Sequence, residues 1–212
     1  MGRCARLSGL LFLVTVFLLG SPGEILAQTP GEDGFVVGFK LRFGGRYDDV
    51  RMCVASDSGT KGGIAADVSL FVDVGLDDDW ALHIDLPVMR PILFAAGHEM
   101  LQFEPSVTAT YRVRTDSSVD VIVGPTLGLS FHYGPDYRSD SSGPGRGPSF
   151  FAMGPTFGGY VGVDFTRPGK SFNFQLGVTP YVTPLFSIDD AATHSGVVAG
   201  ALLDALFRWD VR

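Results

Sequence analysis

The sequence predicts an all-β fold, an eight-stranded antiparallel up-and-down transmembrane β-barrel, and three observations predict it. Apolar and polar residues alternate with a period of two over eight segments. The connections between these segments alternate between long and short, and glycines and small hydroxyl residues occupy much of the polar register. A chain of 212 residues is long enough for one domain or at most two, and we assign residues 34–212 to the barrel.

The N-terminus has the layout of a secretory signal peptide. Two arginines precede an apolar run that ends near Gly20, and small residues lead to a cleavage site at Ala27. The run is shorter than the ~20 residues that a membrane-spanning helix needs. We therefore predict a signal peptide over residues 1–27 and a short N-terminal periplasmic segment over residues 28–33.

Composition argues against nucleic acid, metals and cofactors. Cleavage would remove Arg3, Arg6 and Glu24, which changes the formal net charge from −7 to −8, whereas nucleic-acid binding needs a basic patch. Cys53 is the one cysteine left after cleavage, so no internal disulfide is predicted. The four histidines are scattered without metal-ligand spacing, and we predict neither a metal nor a cofactor.

The eight alternating segments follow one another from residue 35 to the end of the chain. In the first, Phe35, Val37 and Phe39 share one face. Lys40 and Arg42 occupy the other face. Most segments have about 11 to 15 residues, enough for the 9 to 11 of a tilted membrane-spanning strand. In order, the segments are 35–47, 65–76, 80–88, 101–113, 119–133, 151–165, 171–182 and 197–211.

The connections run long, short, long, short, long, short and long, so all the short turns fall at one end of the sheet. The short ones read DDD, RTDSS and TRPGK. The long ones read DDVRMCVASDSGTKGG, MRPILFAAGHE, GPDYRSDSSGPGRGPS and FSIDDAATHSG. Membrane barrels have this design, with short turns on one side of the membrane and long loops on the other.

The polar register decides between a membrane barrel and a soluble one. In VDVIVGPTLGLSF, residues 119–131, that register holds Gly124, Thr126, Gly128 and Ser130. Such residues are poor choices for a solvated strand face, but they suit the interior of an eight-stranded barrel, which barely holds its side chains. We therefore predict that this register faces the lumen and that the apolar register faces lipid. A secreted lipocalin-like ligand carrier, with its apolar face inward, is the soluble alternative.

Two further sets of residues bear on the strands. Aromatic residues on the apolar face lie near segment ends, where membrane barrels carry aromatic girdles. The predicted girdle consists of Tyr47, Trp80, Tyr111, Tyr133, Phe165, Phe172 and Trp209.

Prolines fit the strands less well, because each removes a ladder donor. We expect local bulges or strand ends at Pro87, Pro105, Pro125, Pro155 and Pro180.

With this pattern the chain resembles the small eight-stranded outer-membrane barrels of the OmpA-transmembrane-domain and OmpX type. The final ALFRWDVR is similar to the C-terminal signal of such proteins, although Arg212 stands in place of their aromatic terminus. The resemblance implies a bacterial outer-membrane location, with both termini periplasmic and the long loops extracellular. It implies outer-membrane lipids and the outer-membrane assembly machinery as partners, and the long loops are candidates for binding an external partner.

The charged residues of the lumen register form the candidate site. A charge inside a membrane protein is costly unless it is paired, so we expect an ion-pair network. Its members are Lys40, Arg42, His83, Asp85, Glu104 and Asp204. Lys40 and Arg42 should lie near Asp204 if the first and last strands close the barrel. We interpret the network as a plug that holds the barrel shut, and the alternative is a narrow porin-like channel for ions or small solutes.

The histidines also raise the question of a lipid hydrolase. Ser130 and His132 share a face of the fifth segment, and His194 adjoins Ser195 in the last long connection. Neither pair has an identifiable third member of a catalytic triad. We therefore predict a non-enzymatic protein with a structural or surface-interaction role.

Overall fold

A computed structural model describes residues 35–49, 61–97, 100–115, 119–135, 149–165, 172–188 and 195–211. The predicted signal peptide, the predicted segment 28–33, Cys53 and His194 lie outside these residues. Most of three of the four long connections also lie outside them.

The described residues form a closed antiparallel barrel. The elements are β1 (Phe35–Asp48), β2 (Gly62–Gly75), β3 (Trp80–Pro87), α1 (Met89–Ala95), β4 (Leu101–Phe103), β5 (Ser106–Val113), β6 (Asp120–Pro135), β7 (Ser149–Asp164), β8 (Phe172–Ser187) and β9 (Gly196–Val211). Because β4 and β5 pair with successive parts of β6, they are two pieces of one interrupted strand, and the barrel has eight strands. Pairing of β1 with β9, from Phe35↔Val211 to Asp48↔Val198, closes it. The predicted fold class is confirmed.

The two ends of the barrel differ as the connections predict. The short connections β2–β3, β5–β6 and β7–β8 lie at the end that also holds the start of β1 and the end of β9. We call this the turn end. The opposite end, which holds Asp48 and Gly196, is the loop end.

Burial alternates along every long strand, with the polar register inside. On β6, Ser130 and His132 are buried, whereas Leu127 is 60% exposed and Leu129 is 46% exposed. Soluble proteins bury their large apolar side chains and expose polar ones. This barrel has the reverse arrangement, and a soluble carrier with an apolar interior would have required the opposite register to face inward.

Glycines of the lumen register make room for larger neighbours. The hydroxyl of Tyr160 lies where a Cβ would sit on Gly162 or on Gly177, so its ring fills space that these two glycines leave free. At Gly154, a Cβ would collide with the carbonyl oxygen of Pro184 on the neighbouring strand. Small residues inside the barrel therefore permit both close strand approach and the packing of a few large side chains.

The strands accommodate their prolines in two ways. Pro87 is the last residue of β3, and Pro105 separates β4 from β5, so these two sites are strand ends as expected. At Pro125 the β6–β7 register continues unbroken, while the β5–β6 register is interrupted beside it. A missing amide donor weakens one ladder and leaves the other intact. The same one-sided interruption, in the β7–β8 ladder, occurs at Pro155 and Pro180.

Helix α1 occupies the connection between β3 and β4. Pro91 lies in its first turn, where the amide groups have no acceptor within the helix, so proline is tolerated. The chain leaves the helix at Gly97, whose φ of +103° favours glycine. Seven residues are too few to reveal a helical period in the sequence, which predicted a loop. Within the described residues, no helix has the length and apolar composition needed to cross a membrane.

Candidate functional site

Charged side chains of the lumen register meet inside the barrel in two groups. We call the first the turn-side network, and its members are Lys40, Arg42, Asp73, His83, Asp85, Arg112, Asp120, Asp164, Asp204 and Arg208. We call the second the loop-side cluster, and its members are Arg46, Asp48, Asp67, Arg90, Glu104, Ser130 and His132. All but Arg90 and Glu104 lie on strands, whose pleat turns every second side chain inward.

The middle of the turn-side network is built around two carboxylates. Lys40 Nζ lies 2.5 Å from Asp85 Oδ2, and Arg42 Nη1 lies 3.2 Å from the same oxygen. Arg42 Nε donates to Asp204 Oδ1 at 3.2 Å, and the Thr179 hydroxyl donates to Asp204 Oδ2 at 2.5 Å. Since β1 and β3 are separated by β2, the contacts to Asp85 run through the lumen over the inner face of β2.

The part of the network nearest the turn end is built around two arginines. Arg208 Nη2 lies 2.9 Å from Asp73 Oδ2, and Arg208 Nη1 lies 3.0 Å from Asp164 Oδ2. Arg112 contacts two carboxylates: its Nη2 lies 3.1 Å from Asp164 Oδ2, and its Nη1 lies 3.2 Å from Asp120 Oδ2. These contacts link β2, β5, β6, β7 and β9 across the interior.

His83 connects the two parts of the network. Its Nδ1 lies 2.5 Å from Asp73 Oδ1, and its Nε2 lies 3.4 Å from Lys40 Nζ. The ring packs on Phe71, with centroids 4.7 Å apart. Contacts between ionisable groups therefore run without a break from Asp120 near the turn end to Asp204.

Glu104 is the centre of the loop-side cluster. Arg46 binds it through both terminal nitrogens, at 3.0 and 3.2 Å, which is the strong bidentate geometry. The Ser130 hydroxyl donates to Glu104 Oε1 at 3.0 Å, and His132 Nε2 lies 3.2 Å from the same oxygen. Arg90 approaches from α1, with Nη1 3.6 Å from Glu104 Oε2.

Apolar side chains fill the rest of the lumen in two buried clusters. Phe71, Ile122, Tyr160 and Leu206 form one buried cluster in the turn-side half of the lumen. A second buried cluster, at the loop end of the barrel, consists of Met100, Ala152, Leu185 and Val198, with Tyr181 packed against it. Val198 is the strand partner of Asp48, and Ala152 is that of His132, so this second cluster lies beside the loop-side cluster.

A small cavity enters the barrel from the turn end. Its volume is about 40 Å³, and its lining includes Asp73, His83, Arg112, Gln175 and Arg208, with acidic residues 77–79 beside it. A cavity needs ~10–15 Å³ for each water molecule, so this one has room for a few waters. Water can therefore reach the turn-side network from that end.

The six predicted site residues fall into both groups. Lys40, Arg42, Asp85 and Asp204 are joined, with Arg42 rather than Lys40 contacting Asp204. His83 contacts Lys40. Glu104 belongs instead to the loop-side cluster, next to residues that the sequence did not assign to the ion-pair network. Most of those share the inward register, which could have identified them, but Arg90 lies outside the strands and carried no such signal.

The seven predicted girdle residues lie in two sets on the outward face. Trp80, Tyr111, Phe165, Phe172 and Trp209 are near the turn end, and Tyr47 and Tyr133 are near the loop end. At the turn end the rings are in contact. Centroids of Trp80 and Tyr111 are 4.9 Å apart, and those of Phe172 and Trp209 are 5.5 Å apart.

Ser130, His132 and Glu104 come together in a way that the sequence did not anticipate. Both the hydroxyl and the imidazole contact the same carboxylate oxygen, and Ser130 donates to Glu104 rather than to His132. Both Ser130 and His132 are 0% exposed. Nucleophilic catalysis needs a hydroxyl bonded to its base and open to substrate, which this arrangement does not provide. Among the described residues, no group of three or more His, Cys, Asp or Glu side chains could hold a metal ion.

These features define a class, the eight-stranded antiparallel barrel of the outer-membrane type. Among solved structures, the chain is similar to the crystal structure of Neisserial surface protein A, with a TM-score of 0.55 and 13% sequence identity. The match covers 82% of this chain and 96% of that one. No family model and no curated protein matches the sequence. At this identity the likeness concerns the fold.

Proposed function

We propose that the protein is a non-enzymatic barrel of the bacterial outer membrane, with a structural or surface-interaction role and a lumen closed by its own side chains. The observation that carries the proposal is the set of ion pairs that cross the lumen. Lys40–Asp85, Arg208–Asp164 and Arg46–Glu104 each join strands that are not neighbours in the wall. An eight-stranded barrel has little interior space beyond that of its side chains, so such pairs leave little room for solute.

The two ends of the barrel support the proposed orientation in the membrane. The short turns and the start and end of the barrel lie together, and membrane barrels place their short turns in the periplasm. The long connections then face outward, where they are the surface offered to an external partner. Outer-membrane lipids contact the apolar outer face, and the outer-membrane assembly machinery inserts the barrel.

A narrow channel is the second candidate, and the turn-end cavity favours it. Water in this cavity would need to pass the ion pairs around Asp85 and Glu104 and the apolar residues beside them to reach the loop end. Rearrangement of those pairs would be required for conduction. The two functions therefore differ in a measurable property, the conductance of the protein in its resting state.

Planar-bilayer recording tests the proposal. We expect no stepwise conductance from the wild-type barrel and small steps from the double variant Lys40→Ala, Arg42→Ala, because truncation empties the middle of the lumen. Leu41→Ala is the matched control, since Leu41 lies between them on β1 but is 44% exposed on the outer face. Discrete steps from wild type and Leu41→Ala alike would support the channel and overturn the plug.

A further inference from the structure

Helix α1 stands at a place where the described part of the chain has no strand in the barrel wall. The described ladder joins β2 to β3 from Ser69 to Gly75, and the rest of β2 continues toward the loop end without β3 beside it. On the other side, β4 pairs with β6 over Leu101–Phe103. Helix α1 contacts both β2 and β4. It therefore fills the wall between them in the loop-side half.

The charged side chain of α1 points into the lumen. Arg90 is the one charged residue among 89–97, and it is 4% exposed. Its Nε lies 3.7 Å from Asp67 Oδ2, and its Nη1 lies 3.6 Å from Glu104 Oε2. Asp67 and Glu104 thus hold the helix from inside the barrel.

The opposite face of α1 is apolar and uncovered. Ile92 is 45% exposed and Leu93 is 40% exposed, and the exposed residues after them are alanine and glycine. A contiguous apolar patch exposed on a protein surface marks a site of contact with a partner or a membrane. Phe94 packs edge-on against Tyr133 of the loop-end girdle, with centroids 5.9 Å apart. The apolar face of the helix is therefore continuous with the outward face of the barrel.

We infer that the outer face of α1 is embedded among lipid acyl chains, where it seals the wall between β2 and β4, while Arg90 anchors it to the lumen. Lipid is the occupant that fits, because the face has no charge and continues a surface that already faces lipid. Polar backbone groups exposed to hydrocarbon are costly, and a helix satisfies its own. The inference rests on the proposed membrane location.

Tryptophan fluorescence in vesicles of brominated phosphatidylcholine tests the inference. In a Trp80→Phe, Trp209→Phe background, Ile92→Trp and Leu93→Trp each place a probe on the outer face of α1. Leu129→Trp is the lipid-facing reference on β6, and Lys61→Trp is the water-facing control, since Lys61 is exposed at the loop end. A heat-sensitive shift in gel mobility selects the variants that have folded.

We expect Ile92→Trp and Leu93→Trp to lose intensity by the same factor as Leu129→Trp, while Lys61→Trp keeps its intensity and responds to aqueous iodide. Quenching of the α1 probes no greater than that of Lys61→Trp would overturn the inference. So would probes shielded from both quenchers, which would mean that protein covers α1. Quenching that falls as the protein-to-lipid ratio rises would identify that protein as a second copy. If Leu129→Trp itself is not quenched, the membrane location fails and the inference falls with it.

Discussion

Asp85 is a buried carboxylate that two cations contact in the middle of the lumen. Two cations of β1, Lys40 and Arg42, contact one of its oxygens, and its side chain is 1% exposed. Removing one member of a buried ion pair leaves the other charge uncompensated, which destabilises more than the pair itself stabilises. Exposed pairs behave differently, because water screens them.

Asp85→Asn should lower the free energy of unfolding by about 3–5 kcal/mol, because two buried cations lose their shared carboxylate while the shape of the side chain is kept. Urea titration in detergent micelles measures the change. Asp49→Asn is the matched control, since its pair with Lys61 is partly exposed, and we expect about 1 kcal/mol or less. Equal effects of the two substitutions would mean that the lumen pairs contribute no more than surface ones.

Two strands approach each other closely at Gly154, where a side chain would meet the neighbouring backbone. Gly154→Ala should destabilise the barrel by about 1–3 kcal/mol, because the new Cβ would meet the backbone of Pro184 and the strands would have to move apart. Gly159→Ala on the same strand is the control, since its Cβ would find its nearest atom at 3.6 Å, an ordinary contact. The midpoints of urea unfolding compare them, and a similar loss in both would refute the steric explanation.

At the scale of elements, the break between β4 and β5 sets the position of Glu104. Pro105 lacks an amide donor, so the fourth strand is interrupted there, and Glu104 lies in the interruption. From this position the carboxylate meets Arg46 of β1 and Arg90 of α1. An uninterrupted strand would also have turned Glu104 inward, but α1 with its arginine is what completes the cluster.

Arg90→Ala should loosen α1 without opening the barrel, because the helix would lose both of its contacts with lumen carboxylates. Amide hydrogen exchange is the measurement, and we expect faster exchange over 89–95 with unchanged protection in β7 and β9. Arg114→Ala is the control, since Arg114 forms an exposed pair with Asp79 at the turn end. Unchanged exchange in α1 would show that packing against the wall, rather than Arg90, holds the helix.

At the scale of the whole molecule, closure and surface character act together. Pairing of β1 with β9 over their full lengths closes the barrel, and α1 covers the edges that β2 and β4 leave unpaired. The outward face carries side chains such as Leu203, which is 61% exposed. A closed ladder is the arrangement that satisfies strand backbones in lipid. The buried pairs then fix how strands on opposite sides of the lumen face each other.

A closed barrel of this kind should resist SDS at room temperature. The unboiled protein should therefore migrate differently from the boiled protein on a gel, because heat is needed to separate β1 from β9. We expect the shift in the membrane fraction, with no protein soluble in the absence of detergent. Soluble protein without a shift would mean that the apolar register faces inward, contrary to its exposure in the structure.

The sequence by itself determined the number of strands, their faces and the two ends of the barrel. Side chains alternate across a strand whatever its partners are, so the register of Gly124 and Ser130 could be assigned to the lumen without knowing which residues they meet. The pairing of Arg42 with Asp204 also followed from closure of the first and last strands.

The tertiary structure alone decided the contacts that cross the lumen. Lys40 reaches Asp85 rather than Asp204, and Ser130 reaches Glu104, because these meetings depend on strand stagger and side-chain reach, which no local pattern records. The same holds for the contacts of Arg90. Its helix has only seven residues, so the helix is stabilised by its place in the wall and by lumen carboxylates rather than by its own sequence. Periodicity is a local property of the chain, whereas each of these contacts exists only once the barrel has closed.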